Sequence, residues 1–213
     1  MEIVVDNKDI KILKLTLGAW ETNSYIMVNP PTNKSALIDI PAGAPSILKY
    51  LKGTELEWMM LTHSHQDHIG GIKSVRAKML SALVVHPADN QKWLPVRPDM
   101  DIYDQDCLMV GGLSVHVIHT PGHTPGSVCF LMGKHLFAGD TVFPGGPGHT
   151  VSPEDFQRII KSINEKILPL PDNVVVLPGH GPSTTLKKVK KEYADFIARP
   201  HGADLCGDVT WEM

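Results

Sequence analysis

The order of the predicted strands and helices indicates a mixed α/β fold, with residues 1–213 forming a single domain. Three observations point to this fold class: β-rich segments fill the first part of the chain, two hairpin signals occupy its middle, and amphipathic helical patterns separate and follow them. Hydrophobic residues make up 42% and charged residues 20% of the 213 positions, an ordinary globular composition. No internal repeat or low-complexity linker divides the chain.

The first half of the chain is predicted to alternate between strands and short helices. Period-two or β-branched patterns predict the strands, and apolar residues three and four positions apart predict the helices. In the first helix, for example, Ile47, Leu48 and Leu51 share one face. The strands are expected at residues 11–17, 24–28, 36–39, 56–61 and 82–85, and the helices at 44–51 and 67–75.

Two hairpins are predicted in the second half, because Gly111-Gly112 and Gly133-Lys134 each separate two apolar segments. A helix is expected to begin at Pro153, with Ser152 as its N-terminal cap, and to end near Ile167. The hairpin strands are expected at residues 108–110, 113–118, 128–131 and 135–138, a glycine-rich functional loop at 141–150, a buried strand at 173–177 and a last helix at 183–198.

Charge and composition exclude several classes of function. Twenty Lys and Arg against 23 Asp and Glu give a net charge of −3, so a general electrostatic grip on nucleic acid is not expected. No apolar stretch approaches the roughly 20 residues that a membrane span needs, and the N-terminus lacks the pattern of a secretory signal. The three cysteines are widely spaced, which is typical of reduced thiols. We therefore expect a cytoplasmic protein that acts on a small molecule, without a nucleic-acid or membrane partner.

Eleven histidines are present, and three of them lie within six residues. His63, His65, Asp67 and His68 directly follow an apolar strand, and a tight turn from a strand into a helix can direct all four side chains into one cleft. Imidazole nitrogen and carboxylate oxygen suit Zn²⁺, and also iron or manganese. A single histidine is usually structural, but four candidate ligands this close together favour a metal site.

Three further candidates stand where other predicted strands end. His123, Asp140 and His180 each follow an apolar segment and lie among glycines, which permit close approach of the backbone. Each of them alone has an ordinary interpretation as a turn residue. Together with the first motif they supply five histidines and two aspartates, enough for two metal ions.

In their order along the chain, these motifs resemble those of the metallo-β-lactamase superfamily, and most closely its glyoxalase II-like branch. The resemblance spans about residues 13–186. It implies a four-layer αββα sandwich with the metals at one edge of the two sheets. It assigns His63, His65 and His123 to the first metal, Asp67, His68 and His180 to the second, and Asp140 to a bridging position.

The resemblance also implies a binuclear metal-dependent hydrolase with two divalent ions, zinc first and iron or manganese next. A water shared by two cations loses a proton near neutral pH, and the hydroxide attacks a carbonyl carbon. Asp67 is expected to have two roles: it is a metal ligand, and it is the catalytic residue that orients this hydroxide. Thioesters such as S-acylglutathione-like substrates, esters and lactones are preferred over amides, because the motifs contain no separate general acid.

The segment after Asp140 departs from the glyoxalase II pattern. The family carries a Cys-Gly-Lys or Cys-Gly-Arg element there and an extra C-terminal helical region that helps to bind glutathione. Residues 141–149 contain neither cysteine nor a basic residue, and the lysines at 187–191 are expected on the solvated face of the last helix. Two alternatives therefore stay open: a lactonase or β-lactamase with the same metals, and a single-iron oxidoreductase similar to persulfide dioxygenases.

A few residues outside the metal set are expected to serve the site. Asp39, which ends a predicted strand, is expected to support a ligating histidine from behind. Phe143 and His149 are expected to line the substrate pocket, with Trp20 and Trp93 as further apolar walls. Packing in the core or at the surface is the alternative for Phe143, Trp20 and Trp93, and an ordinary loop position is the alternative for His149. The remaining histidines are expected to be structural or exposed: His86, His116, His119, His135 and His201.

Overall fold

The computed structural model describes residues 1–89 and 94–213, so Trp93 lies outside the described residues. Two β-sheets face each other, and helices cover the outer face of each sheet. The layers thus run helix, sheet, sheet, helix, which confirms the αββα sandwich that the resemblance implied. In the described part of the chain, no helix has the length and apolar character needed to cross a membrane.

The first sheet contains seven strands that neighbour one another in chain order. They are β1 (Glu2–Asp6), β2 (Lys11–Leu17), β3 (Thr22–Asn29), β4 (Lys34–Ile38), β5 (Glu55–Met60), β6 (Ala82–Val85) and β7 (Met100–Asp101). The first four strands pair antiparallel, and β4 to β7 pair parallel. Parallel pairs need crossovers: α1 (Ala44–Leu51) connects β4 to β5, and α2 (Gln66–Ile69) and α3 (Ile72–Arg76) connect β5 to β6.

The second sheet contains six strands and lies against helices from the second half of the chain. Its strands are β8 (Cys107–Val110), β9 (Leu113–His119), β10 (Val128–Met132), β11 (His135–Gly139), β14 (Val175–Pro178) and β15 (Thr184–Thr185); β12 (Val142–Phe143) and β13 (Gly146–Pro147) form a separate small hairpin. The covering helices are α4 (Pro153–Ser162), continued by a π-helical turn at Ile163–Ile167, and α5 (Leu186–Ile197).

Strand β3 shows how the sequence generates this layering. All eight of its residues are buried, because both faces of the strand are covered. Tyr25 and Met27 face the second sheet, where Phe137 contacts the Tyr25 ring edge-on at a centroid distance of 5.3 Å. Ile26 and Val28 face the helix layer instead. The alternation of side chains along a strand therefore divides its residues between two separate cores.

Most predicted elements are present, and the differences have local causes. The expected helix at 67–75 is wrong as one element, because Gly70 and Gly71 separate α2 from α3. The Gly71 N–H donates to the Ile40 carbonyl at 2.8 Å, and a Cβ on Gly71 would collide with the Pro41 carbonyl. The last helix begins at Leu186 rather than near 183, because Thr184–Thr185 pairs with β14. Strands β1 and β7 were not predicted. Both lie at the edges of the sheet and are largely exposed, and β7 has only two residues, so neither shows a clear apolar pattern.

The chain after α5 folds back onto the second half of the structure. Trp211 is only 2% exposed and packs edge-on against Tyr193 and Phe196 at centroid distances of 5.5 and 5.1 Å. The Trp211 N–H donates to the Gly145 carbonyl at 2.7 Å, and Gly207 pairs with Thr150 through two backbone hydrogen bonds. This C-terminal segment, residues 202–213, is thereby attached to the loop that follows Asp140.

We predict that Trp211→Ala lowers the free energy of unfolding by about 3 kcal/mol, because a large buried side chain is removed and a cavity remains. The measurement is urea-induced unfolding of wild-type and variant proteins with the same metal content. Met213→Ala, at an exposed position of the same segment, serves as the matched control and should leave the midpoint unchanged. An unchanged midpoint for Trp211→Ala would mean that the segment does not pack on α5.

Candidate metal centre

All seven side chains of the predicted metal set lie together at one edge of the sandwich. Each comes from a loop or helix start that follows a strand, so the strand ends of both sheets contribute. His63 and His65 follow β5, Asp67 and His68 lie in α2, His123 lies between β9 and β10, Asp140 follows β11, and His180 follows β14.

Six of the seven side chains form two groups of three, and Asp140 forms a further set with His63 and His68. The ligand atoms of His63, His65 and His123 all lie within 4.8 Å of one another, and so do those of Asp67, His68 and His180. Within the second group, Asp67 Oδ2 lies 3.3 Å from His68 Nε2 and 3.2 Å from His180 Nε2. This grouping is the one that the resemblance assigned to two metals.

Asp140 lies between the two groups. Its Oδ2 is 3.6 Å from His123 Nε2 and 3.5 Å from His180 Nε2, and its Oδ1 is 3.5 Å from His68 Nε2. One carboxylate thus faces both groups, which is the position that a bridging ligand requires.

Two buried atoms of the cluster lack a hydrogen-bond partner among the described residues: His63 Nε2 and Asp140 Oδ1. Buried polar atoms in proteins are almost always paired, and an unpaired one costs about 1–3 kcal/mol. A cation at this position would provide the missing partner for both. Five imidazoles and two carboxylates are also the donor types that zinc, iron and manganese accept, so the residues fit divalent metal ions.

Burial and crowding shift the titration of the cluster. Burial, together with the neighbouring His68, holds the pKa of His63 well below its usual value. Burial also disfavours the charged form of His68, but the carboxylates of Asp39, Asp140 and Asp67 outweigh it and raise its pKa to about 9. Burial opposes ionisation of Asp67, yet the hydrogen bond from His180 and the nearby His68 keep the pKa of its carboxyl below its usual range. Asp67 is therefore ionised at neutral pH, as a metal ligand must be.

Four of the five histidines are held through their second ring nitrogen. His68 Nδ1 bonds Asp39 Oδ2 at 2.9 Å, and His63 Nδ1 bonds Thr62 Oγ1 at 3.1 Å. The other two bonds go to backbone carbonyls: His123 Nδ1 to that of His149 at 2.9 Å, and His180 Nδ1 to that of Trp20 at 3.0 Å. Donation from Nδ1 leaves Nε2 as the electron-pair donor, which is the arrangement typical of metal-binding histidines.

Asp39 lies behind the cluster, in contact with the candidate ligand His68. Its carboxylate is 2% exposed and accepts hydrogen bonds from the Thr62 N–H at 2.9 Å, the Thr62 hydroxyl at 2.8 Å and His68. Its φ of +53° lies in the left-handed region, a conformation that Asp tolerates better than most residues. Asp39 thus connects the end of β4 to the loop after β5 and orients one candidate ligand.

A second buried carboxylate, Asp89, escaped the sequence analysis. It is 6% exposed and accepts hydrogen bonds from the Ser64 N–H at 2.9 Å, the Thr124 hydroxyl at 3.0 Å and the Gly126 N–H at 2.8 Å. It therefore connects the loop that carries the first histidines to the loop that carries His123. No motif surrounds Asp89, so its role became visible only through contacts distant in sequence.

The loop that carries His180 is held by strands of the opposite sheet. The Asn23 side chain donates to the carbonyls of Pro178 and Gly181 at 3.0 and 2.9 Å, and the Tyr25 hydroxyl donates to that of Pro178 at 2.7 Å. Lys14 Nζ, in a side chain that is almost fully buried, donates to the Gly181 carbonyl at 2.7 Å. No local pattern distinguishes these three residues, because each is an ordinary member of a strand pattern.

Two cavities border the cluster. The first, of about 340 Å³, is lined by Phe143 and His149 together with His123, Asp140, β12, β13 and part of the C-terminal segment. The second, of about 350 Å³, is lined by Trp20, His65, Gln66 and Asp67. Phe143, His149 and Trp20 thus line cavities beside the candidate ligands, and the C-terminal segment contributes to one of them although it was not predicted to. A larger cleft, of about 540 Å³, lies beside α4 and contains none of the seven side chains.

The other histidines and the lysine cluster contribute to neither cavity. The His86 and His119 rings stack with their centroids 4.0 Å apart. His135 is buried at the start of β11, and His116 and His201 are exposed.

The lysines of α5 form ion pairs with acidic residues. Lys190 pairs with Asp172 at 2.6 Å, and Lys188 approaches Glu192 at 3.6 Å. These lysines form an ordinary charged helix face.

Comparison with known proteins agrees with this geometry. Residues 17–180 match the metallo-β-lactamase superfamily model. The chain belongs to this superfamily. It is 28% identical over 205 residues to the hydroxyacylglutathione hydrolase GloC of Haemophilus influenzae, and the match covers 86% of this chain and 95% of that protein. It is 32% identical over 172 residues to the hydroxyacylglutathione hydrolase of Klebsiella pneumoniae, and this match covers 78% of this chain but only 64% of that protein.

A solved structure gives the same result for the fold. The BLEG-1 B3 metallo-β-lactamase superposes with a TM-score of 0.79 at 28% identity, over 84% of this chain and 96% of that one. The superfamily fold implies binding of divalent metal, and the relatives support a hydrolase.

We predict that Asp89→Asn weakens metal binding by about 10- to 100-fold, because the amide nitrogen cannot accept the N–H bonds that hold the two ligand loops. The affinity is measured by competition with a chromogenic chelator. The exposed Asp9→Asn removes the same charge far from these loops and should retain the wild-type affinity. An Asp89→Asn affinity within twofold of the control would show that Asp89 does not position the ligands.

Proposed function

We propose that this chain is a binuclear metal-dependent hydrolase of small thioesters or esters. The observation that carries the proposal is the position of Asp140 between two groups of three candidate ligands each. His63, His65 and His123 would hold one ion, and Asp67, His68 and His180 the other. Zinc is the first choice for both ions, with iron or manganese as alternatives, since the same donors accept all three.

Two divalent ions bound there would supply a hydroxide nucleophile at neutral pH and polarise the substrate carbonyl. Residues of the chain orient the groups that take part in this reaction. Asp67 Oδ2 accepts a hydrogen bond from the Thr22 hydroxyl at 2.9 Å, so this carboxylate is fixed in orientation before substrate arrives. We assign to Asp67 the additional role of orienting the nucleophile, since its ionised oxygens accept hydrogen bonds.

The two bordering cavities support a small carbonyl substrate. Phe143 and the β12–β13 hairpin form one wall and Trp20 forms another, so apolar groups can lie on either side of the cluster. Thioesters rank first, because a thiolate leaves without strong protonation and because the relative GloC is a hydroxyacylglutathione hydrolase. Ring opening of a lactone or β-lactam is the second candidate, favoured by the likeness to the BLEG-1 B3 metallo-β-lactamase.

We predict about two metal ions per chain and release of free thiol from a simple acyl thioester such as S-butyryl-N-acetylcysteamine, with S-lactoylglutathione tested beside it. His65→Ala and Asp140→Ala should each lower kcat/KM by about 100-fold or more, because each removes a ligand that helps to stabilise developing charge. The assay follows loss of the thioester's ultraviolet absorbance, with metal content measured in parallel. His116→Ala, at an exposed position outside both cavities, is the control and should retain full activity.

Other outcomes of the same assay would favour a different function. Opening of lactones or β-lactams without thioester cleavage would move the ring-opening hydrolase ahead. One iron per chain, with oxygen uptake on a persulfide substrate, would replace the hydrolase by an oxidoreductase.

A further inference from the structure

The C-terminal segment forms one wall of the cavity beside His123 and Asp140. Val209, which is 4% exposed, lines it together with Phe143 and Pro147. Asp208 and Thr210 line the same cavity. Because Gly207 pairs with Thr150 and the Trp211 N–H bonds Gly145, the backbone on both sides of Asp208 is fixed to the opposite wall.

Asp208 is connected to the candidate metal cluster through His149. Its Oδ1 lies 2.8 Å from His149 Nδ1, and the backbone carbonyl of His149 accepts the hydrogen bond from His123 Nδ1 at 2.9 Å. The Asp208 carboxylate accepts this hydrogen bond through one oxygen, and its second oxygen stays available to another group. The carboxylate is 90% exposed and is therefore accessible to a group that enters the cavity.

Apart from the histidines, every charged residue described in the lining of the two bordering cavities is acidic. Among the described residues, the lining includes Asp208 and the cluster carboxylates Asp67 and Asp140, but neither lysine nor arginine. Metal ions would offset the two cluster carboxylates, whereas Asp208 has only His149 beside it. A negative group placed near Asp208 is repelled and a positive one attracted, by an amount that solvent reduces but does not remove.

We propose that Asp208, positioned by His149, is a specificity-determining residue that selects substrates whose group beside the scissile carbonyl is neutral or cationic. The proposal rests on the proposed thioester or ester hydrolysis and specifies its substrate class. A thioester of glutathione, whose thiol part carries two carboxylates, is disfavoured when that thiol part occupies the cavity beside Asp208.

The test uses two matched series with the metal-loaded protein. In the first, a butyryl group is joined to thiocholine, N-acetylcysteamine or 3-mercaptopropionate, so that the thiol part is cationic, neutral or anionic. In the second, N-acetylcysteamine carries a 4-trimethylammoniobutyryl, butyryl or glutaryl group. In the series that places its charge beside Asp208, kcat/KM should fall from cation to anion by about threefold to fivefold, as for exposed charge pairs. Asp208→Asn should remove most of this difference, whereas Asp204→Asn, at an exposed position of the same segment, should retain it.

Binding of the corresponding thioethers, which cannot be hydrolysed, separates the two proposals. Their dissociation constants, measured by calorimetry, should follow the same charge order in wild type and lose it in Asp208→Asn. If no thioester is cleaved but the thioethers keep this order, the thioesterase proposal fails and the role of Asp208 stands. Equal binding and turnover across both series, or a preference that Asp208→Asn leaves intact, overturns the role of Asp208.

Discussion

Burial of two carboxylates behind the cluster is the constraint on which the candidate site depends. A buried carboxylate is costly to desolvate unless its oxygens accept hydrogen bonds, and Asp39 and Asp89 each accept three. The partners of Asp89 lie in two different loops, and those of Asp39 lie in the loop after β5 and in α2, so each carboxylate can be satisfied only when these segments occupy one arrangement. The same hydrogen bonds that stabilise the buried charge therefore determine where the candidate ligands lie.

The two-sheet architecture makes this arrangement possible. The histidine-rich motif follows a strand of the first sheet, whereas His123, Asp140 and His180 follow strands of the second. Neither sheet alone could assemble both groups of ligands. The hydrogen bonds from Asn23 and Tyr25 to the loop of His180 cross from one sheet to the other, so sheet packing also fixes the distance between the two halves of the site. Packing energy and site geometry are consequently coupled.

The sequence predicted the part of this site that is encoded locally. The histidine motif is compressed into six residues, and the other three candidates each stand at a glycine-rich strand end, so strand pattern and residue type were sufficient to find them. Asp89 and Lys14 were missed for the opposite reason. Asp89 bonds residues 25 to 37 positions away and Lys14 bonds Gly181, 167 positions away, and no local pattern marks either residue. The break between α2 and α3 was missed because apolar spacing continues across Gly70 and Gly71, while the close approach of Pro41 that requires glycine is a tertiary contact.

Local sequence signals indicate the type of reaction, whereas the contacts that determine which substrate fits are distant in sequence. The ligand motifs are local and shared with the superfamily, so they indicate metal-dependent hydrolysis, whereas the cavity walls come from the β12–β13 hairpin and from a C-terminal segment beyond the residues that match the family model. In this chain the wall beside His123 includes Asp208 and Val209, which the burial of Trp211 helps to hold in place. Two proteins can therefore share every ligand and differ in the charge that a substrate meets, because the residues that set this charge lie outside the shared motif.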